Sequence, residues 1–192
     1  MSLRLTLIAH AASTATRQAS FPLDEGLEPQ GWQKAQALAG SLGRVDGAWT
    51  APSLRTRQTA QVLGLVAQME PALADIDLGA WAGRALAEVA AAEPEGLARW
   101  TADPAAAPHS GESVLDLLAR VASWLAGLQG QDGRFVAITH AAVIRAVLIS
   151  VLEADPKSFW RIDVEPLCFA RLQAHAGRWT LRSLGWNAGE AA

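Results

Sequence analysis

Two apolar runs in this chain each lead directly to a histidine. Residues 3–10 are rich in Leu and Ile, end at His10 and enter a small, polar loop at residues 11–16. Residues 135–139 form a second continuous apolar run, which comes just before His140. Short apolar runs bounded in this way are typical of buried strands. The pattern therefore predicts two strands that each end at a histidine, and it favours an α/β fold.

Helical patterns alternate with these strands. Residues 29–42 place apolar side chains at helical spacing, and residues 141–152 do the same immediately after the second histidine. Ser113 is placed to cap a further helix, with Asp116 three positions later as an acidic variant of the capping box. Strand and helix thus follow one another along most of the chain.

The other elements are shorter. Residues 45–50 predict a strand, and Ser53 can cap the helix that follows, which puts Arg55 in the first turn of that helix. Residues 168–173 and 179–184 predict a hairpin near the C-terminal end of the sequence.

Length and composition indicate one globular domain. The chain has 192 residues, of which 51% are hydrophobic and 18% charged, enough for a single substantial core. Between residues 70 and 108 the pattern is weaker, and glycines and prolines interrupt it. We therefore expect one domain over residues 1–192, with a looped helical insertion at about 70–108.

Charge and cysteine content exclude several classes of partner. A net charge of −3, from 16 basic and 19 acidic residues, gives no general attraction to nucleic acid or to an acidic membrane surface.

Residues 141–152 are interrupted by Arg145 and are too short for a membrane span, which needs about 20 apolar residues. Cys168 is the single cysteine, and no signal-peptide pattern opens the sequence. These features predict a cytoplasmic protein.

No metal or cofactor is expected from the residue pattern. The four histidines include no close pair at metal-ligand spacing, and the one cysteine stands alone.

Six short motifs follow one another over nearly the whole chain. They are Leu-Thr-Leu-Ile-Ala-His-Ala at residues 5–11, Gly-Trp-Gln-Lys-Ala at 31–35, Pro-Ser-Leu-Arg-Thr-Arg-Gln-Thr-Ala at 52–60, Leu-Ala-Asp-Ile-Asp-Leu-Gly-Ala-Trp at 73–81, Gly-Glu-Ser at 111–113 and Thr-His-Ala-Ala-Val-Ile-Arg at 139–145. Each motif alone is weak, but the ordered set resembles the histidine phosphatase superfamily, the phosphoglycerate mutase-like proteins. The resemblance implies a three-layer α/β/α sandwich with a mostly parallel central sheet.

The resemblance also implies a role for each site residue. His10 would be the nucleophile that becomes phosphohistidine, which requires a neutral imidazole. Arg55 and His140 would hold the phosphoryl oxygens, where negative charge is spread in the transition state. Asp75 aligns with the family's glutamate, the acid and base of the reaction, and Asp77 is a competing candidate. The implied substrate is a small phosphorylated molecule, and the chemistry needs no metal.

The chain departs from the family pattern beside the nucleophile. The family's Arg-His-Gly is Ala9-His10-Ala11 here, although the Ala11 position would still be expected at the phosphate. Loss of one charge-assisted phosphate contact costs about 1.5–3 kcal/mol, and loss of one transition-state donor costs about 10²–10³ in rate. Arg17 and Arg57 are the nearby cations that could compensate, but neither has the family position.

A mutase that returns the phosphoryl group to the same sugar acid is disfavoured, because the chain is short and shows no extra segments to enclose the substrate. Two functions remain open at this point. One is a phosphomonoesterase with reduced activity, and the other is a catalytically impaired family member that binds a phosphate-bearing ligand or a protein. A homodimer is compatible with either function. Some candidate residues also have purely structural explanations: Asp75 as a turn residue, Glu112 and Ser113 at a helix start, and His109 as an exposed loop residue.

Overall fold

Six strands form one sheet in the computed structural model, which describes residues 2–186. The strands are β1 Ser2–Ala9, β2 Gly47–Thr50, β3 Gln68–Met69, β4 Gly133–Thr139, β5 Phe169–His175 and β6 Arg178–Gly185. Their order across the sheet is β3-β2-β4-β1-β5-β6. The pairs β3–β2, β2–β4 and β4–β1 are parallel, whereas β5 is antiparallel to both β1 and β6. The mostly parallel sheet is confirmed.

Helices cover both faces of this sheet. They are α1 Thr14–Gln18, α2 Pro29–Ala37, α3 Leu54–Val62, α4 Leu86–Ala92, α5 Pro94–Ala102, α6 Val114–Gly127 and α7 Ala141–Leu152. Within residues 2–186, none of these helices is long and apolar enough to cross a membrane.

The side chains of β1 point in turn to the two faces of the sheet, and this explains why helices lie on both faces. Leu5 and Leu7 join the core that α6 and α7 supply, whereas Ile8 packs with residues of α3 on the opposite face. Successive strand side chains point to opposite faces, so the consecutive buried residues Leu7, Ile8 and Ala9 at the end of β1 need cover on both sides. The expected three-layer α/β/α sandwich is confirmed.

Local signals account for the helices that were predicted well. Ser113 accepts a hydrogen bond from the backbone N–H of Asp116, and the Asp116 carboxylate accepts from the N–H of Ser113, which forms the expected capping box. Helix α7 has the predicted bounds, and most of its side chains are buried.

Several predicted bounds were wrong, including those of β4, which begins at Gly133 rather than at residue 135, and of the hairpin strands β5 and β6. Helix α2 ends at Ala37 rather than at residue 42, because turns follow it and Gly40 has a positive φ. Strand β2 begins at Gly47 rather than at residue 45. The loop expected at residues 11–16 contains the start of α1, where Ser13 and Thr16 bond to each other.

Residues 70–108 hold two single 3₁₀ turns, Pro71–Leu73 and Gly79–Trp81, followed by α4 and α5. His109 lies just beyond them and is fully buried, which corrects the expectation of an exposed loop residue. Its ring packs edge-on against Trp81 at 5.0 Å and Trp100 at 5.7 Å between centroids. This aromatic packing gives His109 a structural role.

Candidate active site

The two histidines meet where adjacent parallel strands end. Ala9 of β1 pairs in register with Thr139 of β4, and the backbone N–H of His10 donates to the carbonyl of Thr139 at 2.9 Å. The ring centroids of His10 and His140 are 5.2 Å apart. Ligands of open α/β sheets bind beyond the carboxyl ends of the strands, so this position is a candidate site.

Hydrogen bonds fix the protonation of the His10 ring. Nδ1 lies 2.8 Å from the carbonyl oxygen of Ala11, which only accepts, so Nδ1 carries the proton. Arg55 Nε donates to Nε2 at 3.3 Å, so Nε2 offers a lone pair. Burial, helped by His140 and Arg55, lowers the pKa of His10 from 6.5 to about 3. The ring is therefore neutral near pH 7, and its unprotonated nitrogen, Nε2, faces Arg55.

Arg55 is the second residue of α3, and its side chain is buried. Nη1 donates to the carbonyl of Leu23 at 2.8 Å, and Nη2 donates to Asp75 Oδ2 at 2.9 Å. Asp24 accepts from the N–H of Leu54 at 2.6 Å, which ties the same loop to the start of the helix. A buried guanidinium needs such partners, and they hold it beside His10.

His140 is the N-cap residue of α7 and is only 1% exposed. Its Nδ1 lies 3.1 Å from Asp75 Oδ2, and its Nε2 lies 3.3 Å from the hydroxyl of Ser53. Arg55 Nη2 is 3.3 Å from the same Nδ1. The imidazole is thus held on both sides within the protein.

Asp75 joins these groups through one carboxylate oxygen. Oδ2 contacts both Arg55 and His140, and Oδ1 accepts from the N–H of Ile76 at 3.0 Å. Burial by itself would raise the pKa of Asp75, but His140, Arg55 and His10 together hold it well below its usual range. The Asp75 carboxylate thus contacts Arg55 and His140, the two side chains that the resemblance assigns to phosphate.

The loop that carries Asp75 is anchored by α6. Arg120 Nη1 donates to the carbonyls of Ala72 at 2.7 Å and Ala74 at 3.0 Å, and Nη2 donates to Glu112 at 2.7 Å. Asp77 is exposed and accepts from the N–H of Gly79, so it is a turn residue and lies outside this network. The structure places Asp75, not Asp77, with the two histidines.

Ala11, which we expected at the phosphate, contacts His10 and Thr59. It is fully buried, its N–H donates to Thr59 Oγ1 at 3.1 Å, and its carbonyl accepts from His10. Its φ is not positive, so the methyl group in place of glycine needs no unusual backbone. Ala11 therefore orients His10, and its N–H is already occupied by Thr59.

The nearby cations do not occupy the position of the missing arginine. Ala9 is buried in the main core. Arg17 pairs with Glu28 at 3.0 Å on the surface, and Arg57 is exposed on α3 although Arg55 is buried on the same helix. Helix residues two apart point in different directions, which separates Arg57 from the site. Compensation by Arg17 or Arg57 for the missing arginine stays a prediction, and the positions of these two side chains do not favour it.

Three supporting residues were not predicted as parts of the site: Ser53, Thr59 and Arg120. Ser53 was expected to cap α3; it occupies the N-cap position, but its side chain makes no capping bond and contacts His140 instead. The motif around Arg55 contained Ser53 and Thr59, but nothing in the sequence showed which partners they contact. Within residues 2–186, no group of three or more His, Cys, Asp or Glu side chains is arranged to hold a metal ion.

Comparison with known proteins agrees with this geometry. A model of the histidine phosphatase superfamily (branch 1) matches residues 5–187. The chain is 29% identical over 175 residues to the bifunctional protein Rv2228c of Mycobacterium tuberculosis, covering 84% of this chain and 48% of that protein. It thus spans about half the length of that curated relative.

Two further similarities cover a larger share of the matched protein. Phosphoserine phosphatase 1 of Hydrogenobacter thermophilus is 29% identical over 168 residues, which is 82% of this chain and 80% of that enzyme. The solved structure of mycobacterial glucosyl-3-phosphoglycerate phosphatase Rv2419c with VO3 superposes with a TM-score of 0.85 at 26% identity, covering 97% of this chain and 99% of that one. The chain belongs to the histidine phosphatase superfamily, branch 1.

Proposed function

We propose that this protein hydrolyses a small phosphomonoester through a phosphohistidine on His10. The observation that carries the proposal is the state of the His10 ring: Nδ1–H is held by Ala11, and Nε2 presents a lone pair 3.3 Å from Arg55 Nε. A nucleophilic imidazole must be neutral and oriented, and this one is both.

The reaction takes place in two displacements. Nε2 of His10 attacks phosphorus, the bond from phosphorus to the ester oxygen breaks, and the leaving oxygen takes a proton from Asp75. A water molecule then attacks the phosphoryl group, its proton passes to the Asp75 carboxylate, and the bond between phosphorus and Nε2 breaks. Arg55 and His140 hold the phosphoryl oxygens while negative charge spreads over them.

Substrate binding prepares Asp75 for the acid role. The resting carboxylate keeps a low pKa because Arg55 and His140 contact it. A phosphate dianion that takes over these two donors removes that stabilisation and adds a like charge nearby, so the pKa of Asp75 rises. The proton is then available where the leaving oxygen needs it.

The relatives support a small substrate, since their names specify phosphoserine and glucosyl-3-phosphoglycerate. We further propose reduced turnover, because Ala9 leaves the end of β1 without a cation. The same observation favours the second candidate, a protein that binds a phosphate-bearing ligand without turnover.

Acid-labile phosphate labelling separates the two candidates. The intact chain, mixed with a ³²P-labelled aryl phosphate and quenched in alkali, is expected to retain label that acid releases, together with a burst of the aryl alcohol. His10→Ala is expected to retain none. Label in neither protein, with phosphate binding preserved in the intact chain, would support the binding protein instead.

A further inference from the structure

Two arginines lie side by side at the amino ends of β1 and β4. Arg4 pairs in register with Arg134, so the two side chains lie on the same face of the sheet. Neighbouring strands are about 4.8 Å apart, and like charges held this close repel each other. The pair is six positions before His10 along β1, or about 20 Å away. The proposed reaction therefore does not explain it.

No carboxylate pairs with these two guanidinium groups. Within residues 2–186, neither Arg4 nor Arg134 forms a salt bridge, and both side chains are exposed. The next positions on the same face of β4, Val136 and Ile138, are buried together with Ala60 of α3. The cover over this face thus ends before the arginines, which remain open to solvent.

The acids at this end of the sheet already have partners. Asp46 Oδ1 accepts from Arg44 Nε at 2.9 Å, and Asp46 Oδ2 accepts from the backbone N–H of Arg134 at 2.9 Å. Asp132 Oδ1 accepts from the backbone N–H of Ser2 at 2.7 Å. These carboxylates tie the strand ends together and leave the two exposed guanidinium groups to other anions.

The same side chains line a depression of about 620 Å³. This volume falls within the range of small-molecule sites, about 300–1,000 Å³. The lining contains three arginines and two aspartates, so its net charge is one positive unit. Ser2 Oγ accepts from Gln173 Nε2 at 2.9 Å and can therefore donate its own proton to an anion in the depression. The depression thus has the size, the charge and the donors of an anion site.

Phosphate is the anion that these donors fit best. A guanidinium presents two parallel N–H groups to two oxygens of one anion, so a single arginine already satisfies a carboxylate. A phosphate has further oxygens for a second arginine, and a dianion gains more than a monoanion from two cations. We propose that Arg4 and Arg134 form a second, non-catalytic anion site, which binds the phosphate group of a small molecule at the amino end of the sheet.

The site is tested by NMR of the full chain, because each residue then reports separately. Inorganic phosphate is titrated into ¹⁵N-labelled protein at constant ionic strength, with chloride as the balancing anion. The side-chain Nε–H signals of Arg4 and Arg134, assigned with Arg4→Gln and Arg134→Gln, are expected to shift and to saturate. Equal shifts with chloride alone, or the lack of a saturable shift, would overturn the proposal.

The two variants measure what each arginine contributes. Arg4→Gln and Arg134→Gln should each weaken phosphate binding about tenfold, followed on the backbone amide of Gly133, because each removes a charge-assisted contact. The exposed Arg182→Gln on β6 is the matched control and should leave the affinity unchanged. Exposed substitutions change stability little, and thermal melts verify that all three variants fold. Equal phosphate affinity in the three variants would show that the arginine pair does not form the site.

Phenylphosphonate identifies the source of the phosphate group, because it carries a dianion on a larger molecule and has no ester bond to hydrolyse. Tighter binding than that of inorganic phosphate would assign the phosphate of a larger ligand, whereas weaker binding would assign the free anion, and either result supports the site. His10→Ala removes the proposed nucleophile and should leave the titration of Arg4 and Arg134 unchanged. Loss of their shifts in His10→Ala would mean that they report the active site, which would overturn a second site.

Discussion

Asp75 contacts the same two donors that a phosphate needs, so its removal should separate binding from turnover. Asp75→Asn removes the charge that contacts Arg55 and His140 and also removes the proposed acid and base. We expect kcat to fall by about 10²–10⁴, whereas phosphate affinity stays equal or rises. Steady-state kinetics with an aryl phosphate and phosphate titration measure the two effects.

Asp77→Asn is the matched control for this variant. Asp77 is exposed and its side chain accepts from the N–H of Gly79, away from the two histidines, so kcat should change little. If Asp77→Asn lost as much activity as Asp75→Asn, the acid and base role could no longer be assigned to Asp75 alone.

Ala9 is the residue with which reduced turnover can be tested. We expect Ala9→Arg to tighten phosphate binding about tenfold. A charge-assisted contact contributes about 1.5–3 kcal/mol, and the cost of placing the larger side chain at a buried position offsets part of this gain. Ala11→Gly should change binding little, because Ala11 already adopts an ordinary backbone conformation. Phosphate titration of both variants gives the comparison, and no gain in Ala9→Arg would argue against a simple vacancy.

The sequence pattern placed three of the candidate side chains at the ends of local elements, and the family resemblance grouped them with Asp75 into one site. His10 and His140 follow apolar strands, and Arg55 lies in a first helical turn. Their supporting contacts could not be predicted, because Ser53 and His140 are 87 residues apart and Thr59 and Ala11 are 48 apart. Contacts at such separations depend on the order of strands in the sheet.

At the scale of elements, α6 connects the core to the loop of Asp75. Arg120→Gln removes the pairing with Glu112 and the bonds to the carbonyls of Ala72 and Ala74. We expect the free energy of unfolding to fall by about 2–3 kcal/mol, as for bonds to a charged group, and kcat to fall because Asp75 shifts. Urea denaturation and steady-state kinetics measure these effects.

Arg134→Gln provides the comparison for Arg120→Gln. Arg134 is an exposed arginine on β4, so its replacement should change stability by no more than about 0.5 kcal/mol. Equal losses in the two variants would show that Arg120 does not anchor the loop.

Helix α2 also positions the residues after His10. Gly31 packs so closely on the carbonyl of Ala12 that a Cβ atom would collide with that backbone oxygen. The sequence could predict α2 from its apolar spacing but could not show this contact, nor the turns that end the helix at Ala37. His109 was misjudged for a related reason: only the packing of Trp81 and Trp100 around it makes a polar loop residue fully buried.

For the whole molecule, the alternation of strands and helices favoured an α/β fold, and the family resemblance implied the mostly parallel sheet. The order of the strands was not predictable from one sequence, because β1 pairs with β4, whose residues come more than a hundred positions later. That pairing sets His10 against His140. The candidate active site thus depends on the topology of the complete sheet.

The neutral, half-buried His10 should make the whole protein less stable in mild acid. Its pKa is about 3 in the folded protein, against a usual 6.5, so below pH 6.5 the unfolded chain binds one more proton. Stability therefore falls as the pH decreases from 6.5, by at most about 1.4 kcal/mol per pH unit. The low pKa of Asp75 adds a loss of the same sign below its usual value of 3.8, and buried His109, whose pKa is also lowered, adds to the loss in mild acid.

Urea denaturation at pH 7 and pH 5 should show a smaller loss for His10→Gln than for the unaltered chain, whereas exposed His175→Gln should lose as much as the unaltered chain. Equal losses in all three proteins would mean that His10 is not held neutral by the fold.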